Sequence, residues 1–272
     1  MTFSFIDQIS AMGVDRAVGI LHRDERAAPI LPWLVVEAVG QLAGWIAMHR
    51  TDFTRRPFAA LVGEICLTGV EARGDIELEA HIQRLDARAI LYSGAARCAG
   101  GEIAKLSRCV GPLMAMDHFD DPAAVAARFA ALRGETPAQD FHVDTTVQPE
   151  LSPVVLRSTS AVSRLDVPAE AAFFADHFPR RPVYPASLLA AALSQVAAPL
   201  AAQSLGATPS GVRLVRLFDY KVRSFSPPGQ SLDLAAAERV VGDGGVVIDV
   251  SASAQDKRVA GGTLEFRLAP TS

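Results

Sequence analysis

Cysteine is scarce. Cys66, Cys98 and Cys109 are the only three in 272 residues, and none stands in C-x-x-C spacing, so neither a disulfide framework nor a zinc site is indicated. Basic charge is not in excess: 26 Lys and Arg against 30 Asp and Glu leave a formal charge of −4, which argues against a general nucleic-acid surface. The chain opens without a basic region followed by a long apolar run, so no signal peptide is expected. Long hydrophobic runs are missing too. The most apolar stretch, residues 34–48, contains Glu37, Gln41 and two glycines and is too short to span a bilayer. Gly100-Gly101 and the run 242–245 read as hairpin turns, because no strand–glycine–helix context surrounds them. His22, His49, His81, His118 and His142 show no paired spacing and read as surface or structural residues. These absences together predict a cytoplasmic protein with no metal, no cofactor, and neither nucleic acid nor membrane as a partner.

Half of the residues are hydrophobic, enough for one large or two modest domains with real cores. Residues 1–31 suggest a short helix or turn, an extended piece at 17–21 and a polar loop at 22–26. Residues 33–48 are apolar all round, which predicts a helix buried on every side. Strict alternation over 75–82 predicts a half-buried strand, and residues 89–98 and 103–110 predict two more, joined by a glycine turn. The second half repeats this plan. Pro29 and Pro32 match Pro182 and Pro185 at an offset of 153, Gln41 matches Gln195 at 154, and Gly74 matches Gly229 at 155. Four matches in register indicate a duplicated unit. Strands are again expected after the second apolar helix, at 214–225, 232–241, 246–254 and 258–268. Between the repeats, a helix is expected with Asp121 or Asp120 as its cap, Pro122 in its first turn and Gly134 at its end. The expected division is 1–113, a linker at 114–153, and 154–272.

The stretch 173–195 reads FFADHFPRRPVYPASLLAAALSQ. It sets His177 between aromatic residues, ahead of a turn stiffened by Pro179, Pro182 and Pro185. An apolar helix follows at once. The string H-F-P-x-x-P-V-x-P resembles the hallmark loop of the bacterial 3-hydroxyacyl-ACP dehydratases of the hot-dog fold. The resemblance implies an α+β double hot-dog: two antiparallel sheets, each wrapped around a central helix, paired within one chain. In that family an acidic residue stands fourteen positions after the histidine, with a glutamine four further on. Here those positions are Ala191 and Gln195. In the first half, one deletion after Pro32 brings Glu37 onto the acidic position and Gln41 one helical turn beyond it, while the histidine position holds Asp24. The first half thus has the carboxylate without the histidine, and the second has the histidine without the carboxylate.

Family active sites draw their histidine from one hot-dog and their acid from the other, so the resemblance implies one complete site, His177 with Glu37, and one dead site, Asp24 with Ala191. The implied reaction is loss of water from a 3-hydroxyacyl thioester, for which histidine suits proton abstraction at neutral pH. Burial on an apolar helix would keep Glu37 protonated more readily. The backbone N–H of Ala186, where the family has glycine, would polarise the thioester carbonyl at the helix start. Gln41 is the likelier orienting group and Gln195 a second candidate. Arg180, Arg181, Lys221 and Arg223 form a basic set that suits docking of an acidic acyl carrier protein. The expected partners are that carrier and its acyl thioester, in fatty-acid or polyketide-type synthesis, with dimers or larger assemblies of pseudo-dimers possible. Two alternatives remain open at this level: a non-catalytic acyl-binding subunit of an active dehydratase, and a hot-dog thioesterase.

Overall fold

The computed structural model describes residues 3–134, 148–242 and 244–270; His142 and the stretch 135–147 of the expected linker lie outside them. The first half runs β1 (Gln8–Met12), β2 (Arg16–Leu21), α1 (Pro32–Arg50), β3 (Arg55–Pro57), β4 (Leu61–Leu67), β5 (Ile76–Leu85), β6 (Ala89–Cys98) and β7 (Gly101–Ala115). Helix α2 (Pro122–Leu132) follows, and the second half runs β8 (Val155–Leu156), β9 (Ser160–Asp166), α3 (Ala186–Ser204), β10 (Val212–Val222), β11 (Ser231–Gly242), β12 (Gly245–Ala254) and β13 (Lys257–Leu268).

The strands lie in the order β1-β2-β5-β6-β7-β4-β10-β13-β12-β11-β9-β8, with β3 attached to β7. Read from the middle outward, the two halves follow the same rule: β4 answers β10, β7 answers β13, β6 answers β12, and β5 answers β11. The halves meet where β4 pairs antiparallel with β10, with Leu217 opposite Ile65 and Lys221 opposite Leu61. Joining the sheets there removes one exposed edge from each.

Each sheet wraps a nineteen-residue helix. Both helices start alike. Leu31 and Pro185 are the N-caps, at φ −60°, ψ 133° and φ −59°, ψ 135°, which is the extended geometry that a preceding or fixed proline favours. Their offset is 154, so the one-residue change from the proline offset of 153 falls at the helix start. The apolar faces of both helices are buried in one continuous core. Helix α3 has the length and apolarity of a membrane span, yet most of its residues are covered by the strands around it. Gly74 and Gly229 precede β5 and β11 at φ +62° and +75°, the left-handed region where a Cβ is disfavoured, which accounts for their recurrence in the repeat.

Several elements differ from the sequence expectation. Residues 8–12 form strand β1, where a helix or turn is expected; β3, β4, β8 and β9 fall where no strand is singled out; and β10 ends at Val222, short of 225. In α2 the Asp121 carboxylate accepts from the N–H groups of Ala123 and Ala124 at 2.9 and 3.4 Å, so Asp121, not Asp120, is the cap.

Candidate active site

A cavity of about 400 Å³ opens where the two halves meet. Its walls are mainly apolar, with Ile65, Ile90, Leu106, Leu217 and Tyr220 along one side. Into it come Glu37 and Gln41 from α1, His177 from the loop before α3, and Ala186 and Ser187 from the first turn of α3. The structure therefore brings the histidine of one half to the same cavity as the carboxylate of the other.

His177 sits in a fixed frame. Its Nδ1 lies 3.0 Å from the Val183 carbonyl. A carbonyl can only accept, so Nδ1 carries the proton and Nε2 is left with its lone pair. Pro182 and Pro185 flank Val183 and Tyr184 and hold that carbonyl in a stiff turn. The next residue, Phe178, has φ +63°, a conformation that costs a bulky residue about 1–2 kcal/mol. What offsets the cost is visible in the packing: the Phe178 ring stacks on Phe58 at 4.6 Å and meets Phe119 edge-on at 5.9 Å. The bend lets two consecutive side chains, His177 and Phe178, both line the cavity. Desolvation pushes the imidazole down to about 3; the Val183 carbonyl opposes this and the charge of Arg56 adds to it. At neutral pH the ring is an uncharged base.

Glu37 is half-buried on an otherwise apolar turn of α1. Desolvation raises its pKa, against the pull of Ser187, Gln41 and Arg56, so it keeps its proton to higher pH than an exposed carboxyl. Gln41 donates from Nε2 to Glu37 Oε1 at 3.2 Å and to the Phe3 carbonyl at 2.9 Å, and its Oε1 accepts from the Phe5 N–H at 2.9 Å. Both ends of the amide are used, which fixes its orientation. The Ser187 hydroxyl is buried without a partner in bonding geometry, close enough to Glu37 to lower its pKa. A hydroxyl beside a carboxyl can donate to it or to a ligand oxygen that arrives there. Ala186 starts α3, where the first-turn N–H groups have no intrahelical acceptor.

Arg56, like Ser187 and Phe3, lines the cavity without having been singled out in the sequence. Its guanidinium lies 4.9 Å above the Phe178 ring and 3.4 Å from Asp120 Oδ2, with both side chains largely covered. Its position on the short strand β3, in a polar run before Pro57, gives no local sign that it turns inward.

Other expected site residues lie elsewhere. Gln195 is exposed and does not line the cavity, because α3 turns that face toward solvent; it is not a supporting residue of this site. Asp24 is an exposed loop residue that accepts from the Arg26 N–H, and Ala191 is buried in the core. Near Ala191 the Trp33 indole donates to Ser194 Oγ at 3.1 Å. Arg180 donates to the Asp117 carbonyl at 2.8 Å, and Arg181 lies over Phe119 and Phe225 at 5.7 and 5.4 Å. Both are exposed on the outer side of the His177 loop, and Lys221 and Arg223 are exposed at the end of β10. None of the four lines the cavity; Pro179, Val222 and Ser224, which do, are their neighbours.

Residues 156–226 match the model of the FabA-like domain, a span that contains His177 and α3. The chain is 41% identical over 64 residues to the 3-hydroxyacyl-[acyl-carrier-protein] dehydratase FabZ of Rickettsia akari, a match covering 23% of this chain and 44% of that protein. It is 45% identical over 64 residues to the FabZ of Novosphingobium aromaticivorans, covering 23% and 40%. The chain thus spans less than half the length of these curated relatives. Solved structures resemble nearly the whole chain at low identity. An acyl-ACP thioesterase from Bacteroides thetaiotaomicron superposes with a TM-score of 0.55 at 10% identity, covering 94% of this chain and 100% of that one. A MaoC-like dehydratase superposes with the same TM-score at 13% identity, covering 88% and 84%. Equal likeness to a thioesterase and a dehydratase establishes the fold and leaves the reaction to the residues. Residues 156–226 of this chain carry a FabA-like hot-dog domain, within a double hot-dog fold.

Proposed function

We propose that the protein dehydrates 3-hydroxyacyl thioesters to 2-enoyl thioesters, presented on an acyl carrier protein, at one composite site. The observation that carries this reading is that His177, with a free Nε2, and Glu37, with a raised pKa, line one apolar cavity from opposite halves. An acyl chain would lie along the apolar wall of Ile65, Ile90, Leu106 and Leu217, whose burial supplies the main binding energy.

In this reading His177 Nε2 takes a proton from C2, and the electron pair of that C–H bond becomes the C2–C3 double bond. The C3–O bond breaks, and the hydroxyl leaves as water after taking the Glu37 proton. Proton return from the imidazolium to the Glu37 carboxylate, through solvent, resets both groups. The Ala186 N–H would support the thioester oxygen as charge grows there, and the Ser187 hydroxyl is placed to bond the substrate oxygen near Glu37. Each of the two proton transfers is worth about 10²- to 10⁴-fold. Arg180, Arg181, Lys221 and Arg223, outside the cavity mouth, are the proposed footprint of the acidic carrier.

The test is product identification by mass spectrometry after incubation with 3-hydroxyacyl-carrier protein. An enoyl thioester lighter by one water supports the proposal. Free acid would show a thioesterase, and retained substrate with measurable binding would show a non-catalytic acyl-binding subunit.

A further inference from the structure

A third piece of chain, residues 3–5 ahead of β1, bonds to both sides of the site. Phe3 makes contacts to both sides at once. Its N–H donates to Asp176 Oδ1 at 2.9 Å, next to His177, across 173 positions of sequence. Its carbonyl accepts from Gln41 Nε2 at 2.9 Å, one turn from Glu37. Two residues on, the Phe5 N–H donates to Gln41 Oε1 at 2.9 Å. The Phe3 ring is buried and lies edge-to-face on the His177 imidazole at 5.1 Å, with Phe5 and Phe173 at 4.9 and 5.7 Å completing the cluster. Phe178 touches the imidazole as well, at 4.4 Å. His177 is therefore held between an aromatic ring from its own loop and one from the opposite half, while Val183 fixes Nδ1.

We propose that Phe3 is a positioning residue: it ties the His177 loop to the Gln41 and Glu37 face of α1 and sets the approach of the imidazole to the cavity. The His177 loop has its own internal bonds, and α1 is packed in the first-half core, but the Phe3–Phe5 segment bonds to each. Its role differs from a wall residue because its hydrogen bonds are backbone bonds, aimed at Asp176 and Gln41, while its ring faces the base. As a claim about catalysis this rests on the dehydratase reading; as a claim about the imidazole it does not.

The experiment compares wild type with Phe3→Leu, which keeps apolar volume and loses the ring face, and with Phe3→Ala. Two readouts are taken: kcat and KM on 3-hydroxyacyl N-acetylcysteamine thioesters, and the His177 ring titration by NMR. The other charged groups around this cavity, Glu37, Arg56, Asp120, Arg128 and Asp176, are unchanged in these variants. The expected result for Phe3→Leu, folded by circular dichroism, is a kcat at least fivefold lower, a KM within twofold of wild type, and an imidazole that titrates at higher pH as water reaches it. An unchanged kcat and an unmoved titration in folded Phe3→Leu would overturn the proposal, and so would a failure of both variants to fold, which would make Phe3 a stability element. Should wild type turn over no substrate, the dehydratase reading falls while the titration still decides whether Phe3 holds His177.

Discussion

At the residue scale, the site is a contest between burial and charge. His177 and Glu37 are shifted in opposite directions by the same cause: desolvation disfavours imidazolium and carboxylate alike. A neutral base and an acid that holds its proton to higher pH than an exposed carboxyl are a pair that suits dehydration. The shift of His177 also enters stability. An unfolded histidine takes up a proton near its ordinary value of 6.5, and the folded one only near 3, so acid between those values favours the unfolded chain. The urea midpoint of wild type is expected to fall as pH drops from 6.5 toward 3, and to fall less in His177→Gln. Arg56 makes a second prediction. Removing its charge leaves Asp120, largely buried, without its cation, and stripping one member of a buried pair costs about 3 kcal/mol. Arg56→Met should therefore lower stability by an amount that Arg56→Met with Asp120→Leu partly recovers, measured by denaturant unfolding. The sequence showed Glu37 and His177 because each breaks a local pattern: a carboxylate in an apolar helix, and a histidine among spaced prolines. Arg56, Ser187 and Phe3 break none. They reach the cavity only because distant segments fold onto it, which no local spacing records. Gln195 misled because it shares a sequence register with Gln41 while its helix face points outward.

At the element scale, α1 must lie close to its sheet for Glu37 to reach the cavity. Gly94 on β6 is the contact point: a Cβ built there would collide with Val39 Cγ1 and the Glu79 carbonyl. Val39 is two residues from Glu37. Gly94→Ala should push α1 off β6, lowering stability by about 1–3 kcal/mol, the range for an overpacked core, and lowering turnover more than a comparable distant change. Thermal unfolding and the rate of enoyl formation check the two parts. Long elements were legible from pattern. The alternating residues 75–82 fall almost wholly within β5, residues 89–98 form β6 over that span, and the apolar run 33–48 lies within α1. Two of the misses share a physical cause. Strand β1 is a five-residue edge strand with one buried side chain, and β9 buries only Ala161 and Leu165 of seven. Neither carries enough burial to write an alternation into its sequence.

At the scale of the whole molecule, two halves repeat one strand plan around one helix each. The repeat was legible because proline and glycine positions are dictated by backbone geometry and survive when side chains change. Gly74 and Gly229 keep their left-handed φ, and the helix starts keep their extended caps. How the halves face each other was not legible from pattern, since the pairing of β4 with β10 depends on partners about 150 residues apart. That pairing puts Glu37 and His177 into one cavity of one chain. One consequence is a binding stoichiometry of one acyl ligand per chain, read by calorimetry with an unreactive acyl thioester analogue; two per chain would require a second site at Asp24 and Ala191.

The most direct measurement is the rate of enoyl formation from 3-hydroxyacyl-carrier protein by Glu37→Gln, by His177→Ala, and by the two variants co-expressed and purified together. With both groups in one chain, each variant should lose at least about 100-fold, the smallest contribution expected of a general acid or base, and the mixture should stay as inactive as its parts. Activity retained by either single variant, or substantial recovery on mixing, would contradict a composite site built from Glu37 and His177 of the same chain.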